Sequence, residues 1–364
     1  MSLRLTVLSA LLLSALSTAI GAHADDVGSS SNTVINGLVY LDGYAAHSIQ
    51  DYGSKAPGGP GDVDPQGLGF DVSRFYVGFY HSFDDTWSVK FLPFFTSTNT
   101  PGTPSWYLKE AYLQGKLDPW ATFRVGNAPE PWVPFVEKIY GYRFVEQTFT
   151  EREGIANTAD MGGHLSGAGD LLSYDVAIVN GGGYKNPQRT KAVDEEARIA
   201  LTPIAGLTFA IGGYSGELGQ DTLANETADA GLQKNTATRW DALAAWKADG
   251  LTLGGEYVQG RNFSSSLIFS DSTDTEAGYS LFGSYDLTQD YSVFARYDRY
   301  KPSEDTDSFR EERYGNTGFA WKANANLTWA LVYKYDRITD NLKLTNDGDS
   351  LMTQEVGIWA QVKF

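Results

Sequence analysis

The chain has 364 residues, no cysteine and a formal net charge of −17, with 39 glycines, 21 tyrosines, 19 phenylalanines and 9 tryptophans. The acidic excess argues against nucleic-acid binding, which needs basic patches, and the lack of cysteine excludes a disulfide framework. The mean hydropathy of −0.30 argues against a bundle of membrane helices. Abundant glycine and aromatic residues suit a transmembrane β-barrel, although a large soluble β-sandwich could share this composition.

The N-terminus has the pattern of a secretory signal. Arg4 is followed by a mostly apolar run over residues 5–20 and by the small-x-small site Ala22-His23-Ala24. At about sixteen residues the run is short for a membrane-spanning helix. We therefore predict a signal peptide over residues 1–24 and one domain over residues 25–364.

Most of the remaining chain alternates with a period of two, which predicts β-strands. Polar and apolar residues take opposite faces, as in Tyr291–Tyr300, where Val293 and Tyr297 alternate with Arg296 and Asp298. The predicted strands are Val34–Tyr44, Phe70–Phe83, Trp87–Phe95, Trp106–Leu117, Ala121–Asn127, Met161–Gly167, Leu172–Asn180, Glu196–Pro203, Leu207–Gly216, Thr236–Lys247, Leu251–Arg261, Glu276–Leu287, Tyr291–Tyr300, Tyr314–Lys322, Asn326–Arg337 and Met352–Phe364.

Short turns and long polar loops alternate between these strands, so all short turns lie at one rim and all long loops at the other. This is the pattern of outer-membrane barrels, with periplasmic turns and extracellular loops. A charge on the lipid face near the midplane costs about 2–4 kcal/mol, so the polar series has to face inward. The sequence predicts an all-β fold, a transmembrane antiparallel β-barrel of about sixteen strands, which is wide enough to hold water.

The last ten residues, Glu355–Phe364, carry the apolar series Val356, Ile358, Ala360, Val362 and Phe364. Pairing this strand with the first one closes the barrel and removes both edges. The ending is similar to the terminal strand by which outer-membrane barrels are recognised for assembly. We therefore expect Phe364 to be an assembly signal read by the barrel assembly machinery, in the bacterial outer membrane beside lipid and lipopolysaccharide.

One long interruption, from Ala128 to Asp160, lacks a sustained period of two. Insertions of this length are usually functional or disordered, and its aromatic residues indicate packing. It is the third long loop, the one that folds into the lumen in general porins. We predict the same here; an ordered external loop at a subunit interface is the alternative.

Several stretches together resemble porins of the phosphate-selective O and P type, and their order along the chain carries the resemblance. They are Arg74–Phe79, Lys109–Gln114, Phe123–Asn127, Ser173–Gly182, Phe294–Asp298 and the terminal strand. The family implies a sixteen-stranded channel, usually a homotrimer, for passive diffusion of small solutes. Phosphate specialists carry dense Arg and Lys ladders in the lumen, whereas inward basic residues are scattered here. We therefore carry over the channel architecture and not the phosphate selectivity.

The predicted function is a porin, a water-filled diffusion channel for small hydrophilic solutes and ions. Its predicted constriction opposes acids of the interruption to arginines of the wall, which gives a transverse field that orients polar solutes. The constriction residues are Glu130, Glu137, Glu146, Arg74 and Arg124, and further lumen-wall arginines are Arg198, Arg239 and Arg296. The summed charge favours mild cation selectivity, with an anion- or phosphate-selective porin as the alternative.

Other function classes find little support. His164 and Ser166 face the same way on one strand, the spacing that a barrel phospholipase uses, but no third group is evident to orient the histidine. Four histidines and no cysteine form no metal cluster of familiar spacing. We predict no enzyme activity, no cofactor and no metal. A barrel adhesin or lipase-type enzyme remains a further alternative.

Overall fold

The computed structural model of the protein describes residues 32–51, 67–96, 105–228, 231–339 and 350–364, so the predicted signal peptide lies outside the described residues. These residues form a closed barrel of sixteen antiparallel strands, in which β1 pairs with both β2 and β16. The strands are β1 (Thr33–Asp51), β2 (Gly67–Ser82), β3 (Trp87–Thr96), β4 (Ser105–Asp118), β5 (Ala121–Pro129), β6 (Ala159–Ala168), β7 (Leu172–Val179), β8 (Asp194–Ile204), β9 (Leu207–Gly216), β10 (Ala237–Ala248), β11 (Leu251–Arg261), β12 (Thr275–Asp286), β13 (Tyr291–Lys301), β14 (Glu311–Lys322), β15 (Leu327–Thr339) and β16 (Ser350–Lys363).

The predicted barrel is thus confirmed strand by strand, and most boundaries move by only one to three residues. The largest difference is in β1, which was predicted to end at Tyr44. In the structure β1 continues to Asp51, because the lengthened partner β16 supplies a register from Ala45↔Val356 to Asp51↔Ser350. The prediction that a loop begins at Ala45 is therefore wrong.

Burial alternates along each strand as expected for a barrel with two environments. In β8, Arg198 and Ala200 are buried, whereas Ile199 and Leu201 are 48% and 44% exposed. The exposed series is apolar and faces outward, where lipid replaces water. The buried series faces inward and carries most of the charged side chains of the wall.

The seam between β1 and β16 closes through the chain terminus. The Phe364 N–H donates to the Gly37 carbonyl at 3.0 Å, and the Gly37 N–H donates back to the Phe364 carbonyl at 2.6 Å. A Cβ at position 37 would lie 2.2 Å from Cζ of the Phe364 ring, so the ring packs over this glycine and would have to shift for any larger residue. The assembly role of Phe364 stays a prediction.

The connections alternate in length as predicted. β10 and β11 are joined by Asp249 and Gly250, both with positive φ (52° and 76°), as the tight turns of β-hairpins require. The connection from β9 to β10 spans residues 217–236 and that from β5 to β6 spans residues 130–158. With an even number of strands, both ends of the barrel chain lie at the rim of the short turns.

Short helices occur only in the long connections of the described chain. They are α1 (Val133–Tyr140), α2 (Phe149–Arg152), α3 (Leu223–Ala228) and α4 (Ser265–Ile268). α1 tolerates Pro134 in its first turn and ends at Gly141, whose φ of 78° is the left-handed conformation typical of a helix C-terminus. Among the residues that the structure describes, no helix is long and apolar enough to cross a membrane.

Candidate functional site

The candidate site consists of the connection between β5 and β6, residues 130–158, and the wall that it contacts; we call this connection the β5–β6 segment. Its two ends are joined where the Glu130 N–H donates to the Thr158 carbonyl at 3.1 Å. Trp132 is fully buried, and its indole N–H donates to Oε1 of Glu256 on β11 at 2.7 Å. On β9, a Cβ at Gly212 would lie 2.6 Å from the Trp132 ring. The segment therefore packs against β9 and β11.

Apolar side chains continue this contact along the wall. Val136 and Tyr140 of α1 belong to one buried cluster with Leu243 of β10 and Phe282 of β12. The ring of Tyr142 stacks on Phe294 of β13 at a centroid distance of 4.0 Å. These wall positions belong to the inward series, which was predicted to be polar, and they are apolar because the segment packs on them instead of water.

The three predicted lumen-wall arginines each donate to a backbone carbonyl of the β5–β6 segment. Arg198 Nε reaches the Pro131 carbonyl at 3.0 Å, and Arg239 reaches the Ile155 carbonyl at 2.6 Å. Arg296 donates to the carbonyl of Gln147. The segment is thus held near its beginning by a side chain of β8, in its middle by one of β13 and near its end by one of β10.

Wall carboxylates hold two of these guanidinium groups in place. Arg239 makes ion pairs of 3.0 Å with both Glu196 and Asp241, and all three side chains are about 1% exposed or less. Arg296 Nε donates to Asp298 at 2.8 Å. Because buried charges are costly unless paired, these carboxylates keep the arginines charged and aimed at the segment.

The five predicted constriction residues fall into two groups. Arg74 and Glu146 line one cavity of 270 Å³, and there Glu146 pairs with Lys334 of β15 at 3.0 Å. Arg124, Glu130 and Glu137 line a second cavity of 620 Å³. The structure brings residues of each group together, but it does not bring all five into one ring.

Several functional candidates were not singled out from the sequence. Arg143 donates to Glu137 and Glu151, both at 2.7 Å, and Glu151 also lies 3.8 Å from Arg74 of β2. Arg152 reaches Glu312 at 2.5 Å and Asp336 at 2.7 Å, on β14 and β15. The only sequence signal for them was the charge density of the interruption, because their partners come from distant strands.

The segment's carboxylates have strongly shifted pKa values. Burial acts to raise the pKa of Glu146, but Lys334 and Arg152 outweigh it and lower that pKa to about 2. Burial is likewise outweighed at Glu151, where Arg143 and Arg74 lower the pKa to about 2. Burial raises the pKa of Glu153 to about 8, against the attraction of Arg152. Burial and the nearby Glu196 raise the pKa of Glu130.

His164 and Ser166 lie two residues apart on β6 without a hydrogen bond between them in the described structure. Both ring nitrogens of the buried His164 lack a hydrogen-bond partner among the described residues. The Ser166 hydroxyl instead contacts Arg124 at 3.1 Å and the Thr122 carbonyl at 3.4 Å. The described geometry therefore does not pair this histidine with the serine as base and nucleophile.

No family model and no curated protein matches the sequence. Solved structures do match the barrel over nearly its whole length. The outer membrane channel DcaP of Acinetobacter baumannii gives a TM-score of 0.62 at 12% identity, covering 92% of this chain and 99% of the other. OmpT, an outer membrane protein of Vibrio cholerae, gives 0.59 at 13% identity over 93% and 100% of the two chains. An anion-selective porin from Comamonas acidovorans gives 0.57 at 10% identity, over 91% and 100%.

At these identities the similarity establishes the fold alone, and the resemblance to phosphate-selective porins of the O and P type stays a prediction. A closed barrel of sixteen strands, apolar outside and charged inside, is built to span a lipid bilayer without unpaired backbone groups. The chain therefore has the fold of an outer-membrane porin, and this fold agrees with the predicted location in the bacterial outer membrane.

Proposed function

We propose that the protein is a porin, a water-filled channel through which small hydrophilic solutes and ions diffuse passively, and that the β5–β6 segment lies in the lumen and narrows it. The observation that carries the proposal is the reach of the segment. It contacts inward side chains on strands around the barrel, from Glu256 on β11 to Lys334 on β15 and Arg74 on β2. Partners on so many strands support a path of the segment across the space that these strands enclose.

The cavities left beside the segment are lined by charges of both signs. In the larger one, Lys90 pairs with Glu110 and Arg124 pairs with Asp175, each at 2.8 Å. Such paired charges create local fields across a narrow gap, which favour polar over apolar solutes.

We expect the ion selectivity to be weak, because many lumen charges are compensated by a partner within 4 Å. Acids on outer loops contribute little, since charges are screened beyond about 8 Å at physiological salt. Reversal potentials under a salt gradient distinguish the mild cation selectivity predicted from the net charge from the anion-selective alternative. Chloride current that is blocked by phosphate would favour the phosphate-specialist alternative.

The direct test is conductance in a planar lipid bilayer. The purified, folded protein should give stepwise conductance that rises in proportion to the conductivity of the salt solution, as a water-filled pore requires. Heat-unfolded protein is the control and should give none. A folded barrel without measurable conductance would contradict the channel and favour the adhesin or enzyme alternatives.

A further inference from the structure

A chain of ion pairs crosses from the barrel wall to the β5–β6 segment. Arg74 of β2 lies 3.8 Å from Glu151, Glu151 accepts from Arg143 at 2.7 Å, and Arg143 donates to Glu137 of α1 at 2.7 Å. We call these four residues the bridge. None of their side chains is more than 22% exposed. Beside the bridge, the Phe144 ring lies 6.4 Å from the Tyr40 ring of β1. The segment is therefore joined to β1 and β2 as well as to the opposite wall.

Both cavities beside the segment are lined in part by the bridge, the smaller one by Arg74 and Arg143 and the larger one by Glu137, so the bridge stands between them. The 270 Å³ cavity is lined by residues of β1, β2, β15 and β16, among them Asp42 and Glu355. The 620 Å³ cavity is lined by residues of β3 to β8, among them Lys90 and Asp175. Among the described residues, none lines both cavities.

The larger cavity itself reaches the rim of the short turns, whereas the smaller one borders a further cavity that reaches this rim elsewhere. The larger cavity reaches Pro119 and Ala168, beside the β4–β5 and β6–β7 turns. The smaller cavity shares Phe144 with a further cavity of 270 Å³ that reaches Asp290 and Lys322, at the β12–β13 and β14–β15 turns. The two paths thus approach this rim at different places.

The two cavities also differ in charge. In the smaller one, Asp42 of β1 lies opposite Asp71 of β2 in the strand register, and both line the cavity with Glu355. Four carboxylates line this cavity, since Glu146 joins these three, against the three basic groups Arg74, Arg143 and Lys334. Lys334 serves two of the carboxylates, Glu146 at 3.0 Å and Glu355 at 4.0 Å. Carboxylates therefore exceed basic groups on this side.

Basic groups exceed carboxylates in the lining of the larger cavity, with Lys90, Lys109, Arg124, Lys138 and Arg198 against Glu110, Glu130, Glu137 and Asp175. Lys90 and Arg124 are paired with carboxylates, whereas Lys109 has no carboxylate within salt-bridge distance among the residues described. Its ammonium lies 5.2 Å and 6.0 Å from the ring centres of Tyr76 and Tyr184. Aromatic faces stabilise a cation without cancelling its charge, so Lys109 keeps a positive potential at this wall.

From this geometry we propose that the bridge divides the lumen of one barrel into two parallel routes. The smaller route, along β1, β2, β15 and β16, prefers cations, and the larger route, along β3 to β8, prefers anions. The inference rests on the proposed porin function and goes beyond it. Because one route prefers cations and the other prefers anions, the ion selectivity of the whole channel is weak.

Whether the two cavities conduct in parallel or in series can be measured from the current that remains after one of them is blocked. Two parallel routes have conductances that add, so blocking one removes only its own share. Two cavities in series form one route, so blocking either removes the whole current. The chain has no cysteine, so single introduced thiols can be modified selectively after the channel has been inserted.

The test uses Ser73→Cys in the smaller route, Thr122→Cys in the larger route, and the double variant; both side chains line their cavities. Each channel is first recorded unmodified, which shows that it folded, and then treated with a bulky neutral thiol reagent. We expect each single modification to remove part of the conductance, the larger part at Thr122, and the double modification to remove nearly all of it. The cysteine-free wild-type channel is the control.

Reversal potentials supply an independent readout. Modification at Ser73 should shift the selectivity toward anions, and modification at Thr122 should shift it toward cations. Loss of the whole current after either single modification would overturn the two routes, as would a full current after one of them or shifts of the same sign. An unmodified folded channel without conductance would instead contradict the proposed porin function.

Discussion

Two parts of the same barrel wall carry different side chains on their inward faces. β9–β12, here the covered wall, presents Ala210, Leu243, Ala245 and Phe282 to the β5–β6 segment. β4–β7, here the open wall, presents Lys109, Glu110, Arg124 and Asp175 to a cavity. Both walls follow the same period of two. Apolar inward residues therefore mark where the segment packs, and the charged inward residues beside them, such as Arg239 and Asp241, are buried as ion pairs.

The largest expected effect comes from uncovering the covered wall. Removal of residues 132–148 takes away Trp132, α1 and Tyr142, so the free cross-section of the lumen increases. We expect single-channel conductance to rise several-fold in planar bilayers. Leu243 and Phe282 would then face water, and the barrel should also unfold at a lower temperature.

A combined variant separates these two consequences. Leu243→Gln and Phe282→Gln, added to the shortened chain, should restore part of the lost thermal stability without a further change in conductance. Heat-dependent gel mobility confirms that each barrel is folded. A folded shortened barrel with the conductance of the wild type would place the segment outside the lumen.

The next effect concerns the buried charges that attach the segment. Arg239→Met leaves Glu196 and Asp241 buried without their counterion and removes the donor to the Ile155 carbonyl. We expect a loss of about 3–5 kcal/mol in the free energy of unfolding, the usual cost of breaking a buried pair. Denaturant unfolding in detergent measures it.

Two matched variants sharpen this result. Adding Glu196→Gln and Asp241→Asn to Arg239→Met removes the stranded charges and should recover part of the loss. On the open wall, Arg124→Met breaks the pair with Asp175, whose two side chains are 13% and 11% exposed. Water can solvate the remaining carboxylate, so the loss in the free energy of unfolding should be smaller. Equal losses at both walls would contradict the distinction between them.

A smaller effect is expected from neighbouring glycines on β9. Gly212→Leu pushes against the Trp132 ring, which lies 2.6 Å from the position of a Cβ, whereas at Gly213 the nearest atom is the Arg239 carbonyl oxygen at 3.4 Å. Overpacking costs about 1–3 kcal/mol, so Gly212→Leu should destabilise the barrel and increase current noise. Gly213→Leu, on the outward face, is the control and should change neither the stability of the barrel nor the current noise.

The smallest effect is a dependence on pH at the tip of the segment. The pKa of Glu146 falls from 4.5 to about 2 in the folded protein. A lowered folded pKa means that the Glu146–Lys334 pair contributes stability above pH 4.5 and loses it as the pH falls toward 2. The difference in melting temperature between wild type and Glu146→Gln should therefore be largest near neutral pH and vanish near pH 2; a constant difference would contradict this.

The sequence alone determined the sixteen strands, the closure of β1 on β16 and the inward and outward faces of Arg296 and Tyr297. These features follow from a period of two, which is local, and from the cost of a charge in lipid. Even the fit of Phe364 over Gly37 has a local signal, an aromatic residue at the end of an apolar series.

The tertiary structure alone decided how the β5–β6 segment runs and which charges meet. Arg239 is held by residues 196 and 241 and itself holds residue 155, and no periodicity in the sequence relates these positions. The same applies to the division of Arg74, Glu146, Arg124, Glu130 and Glu137 between two cavities. Ion pairs depend on distances across the barrel, and those distances are set only once the closed wall fixes where each strand stands.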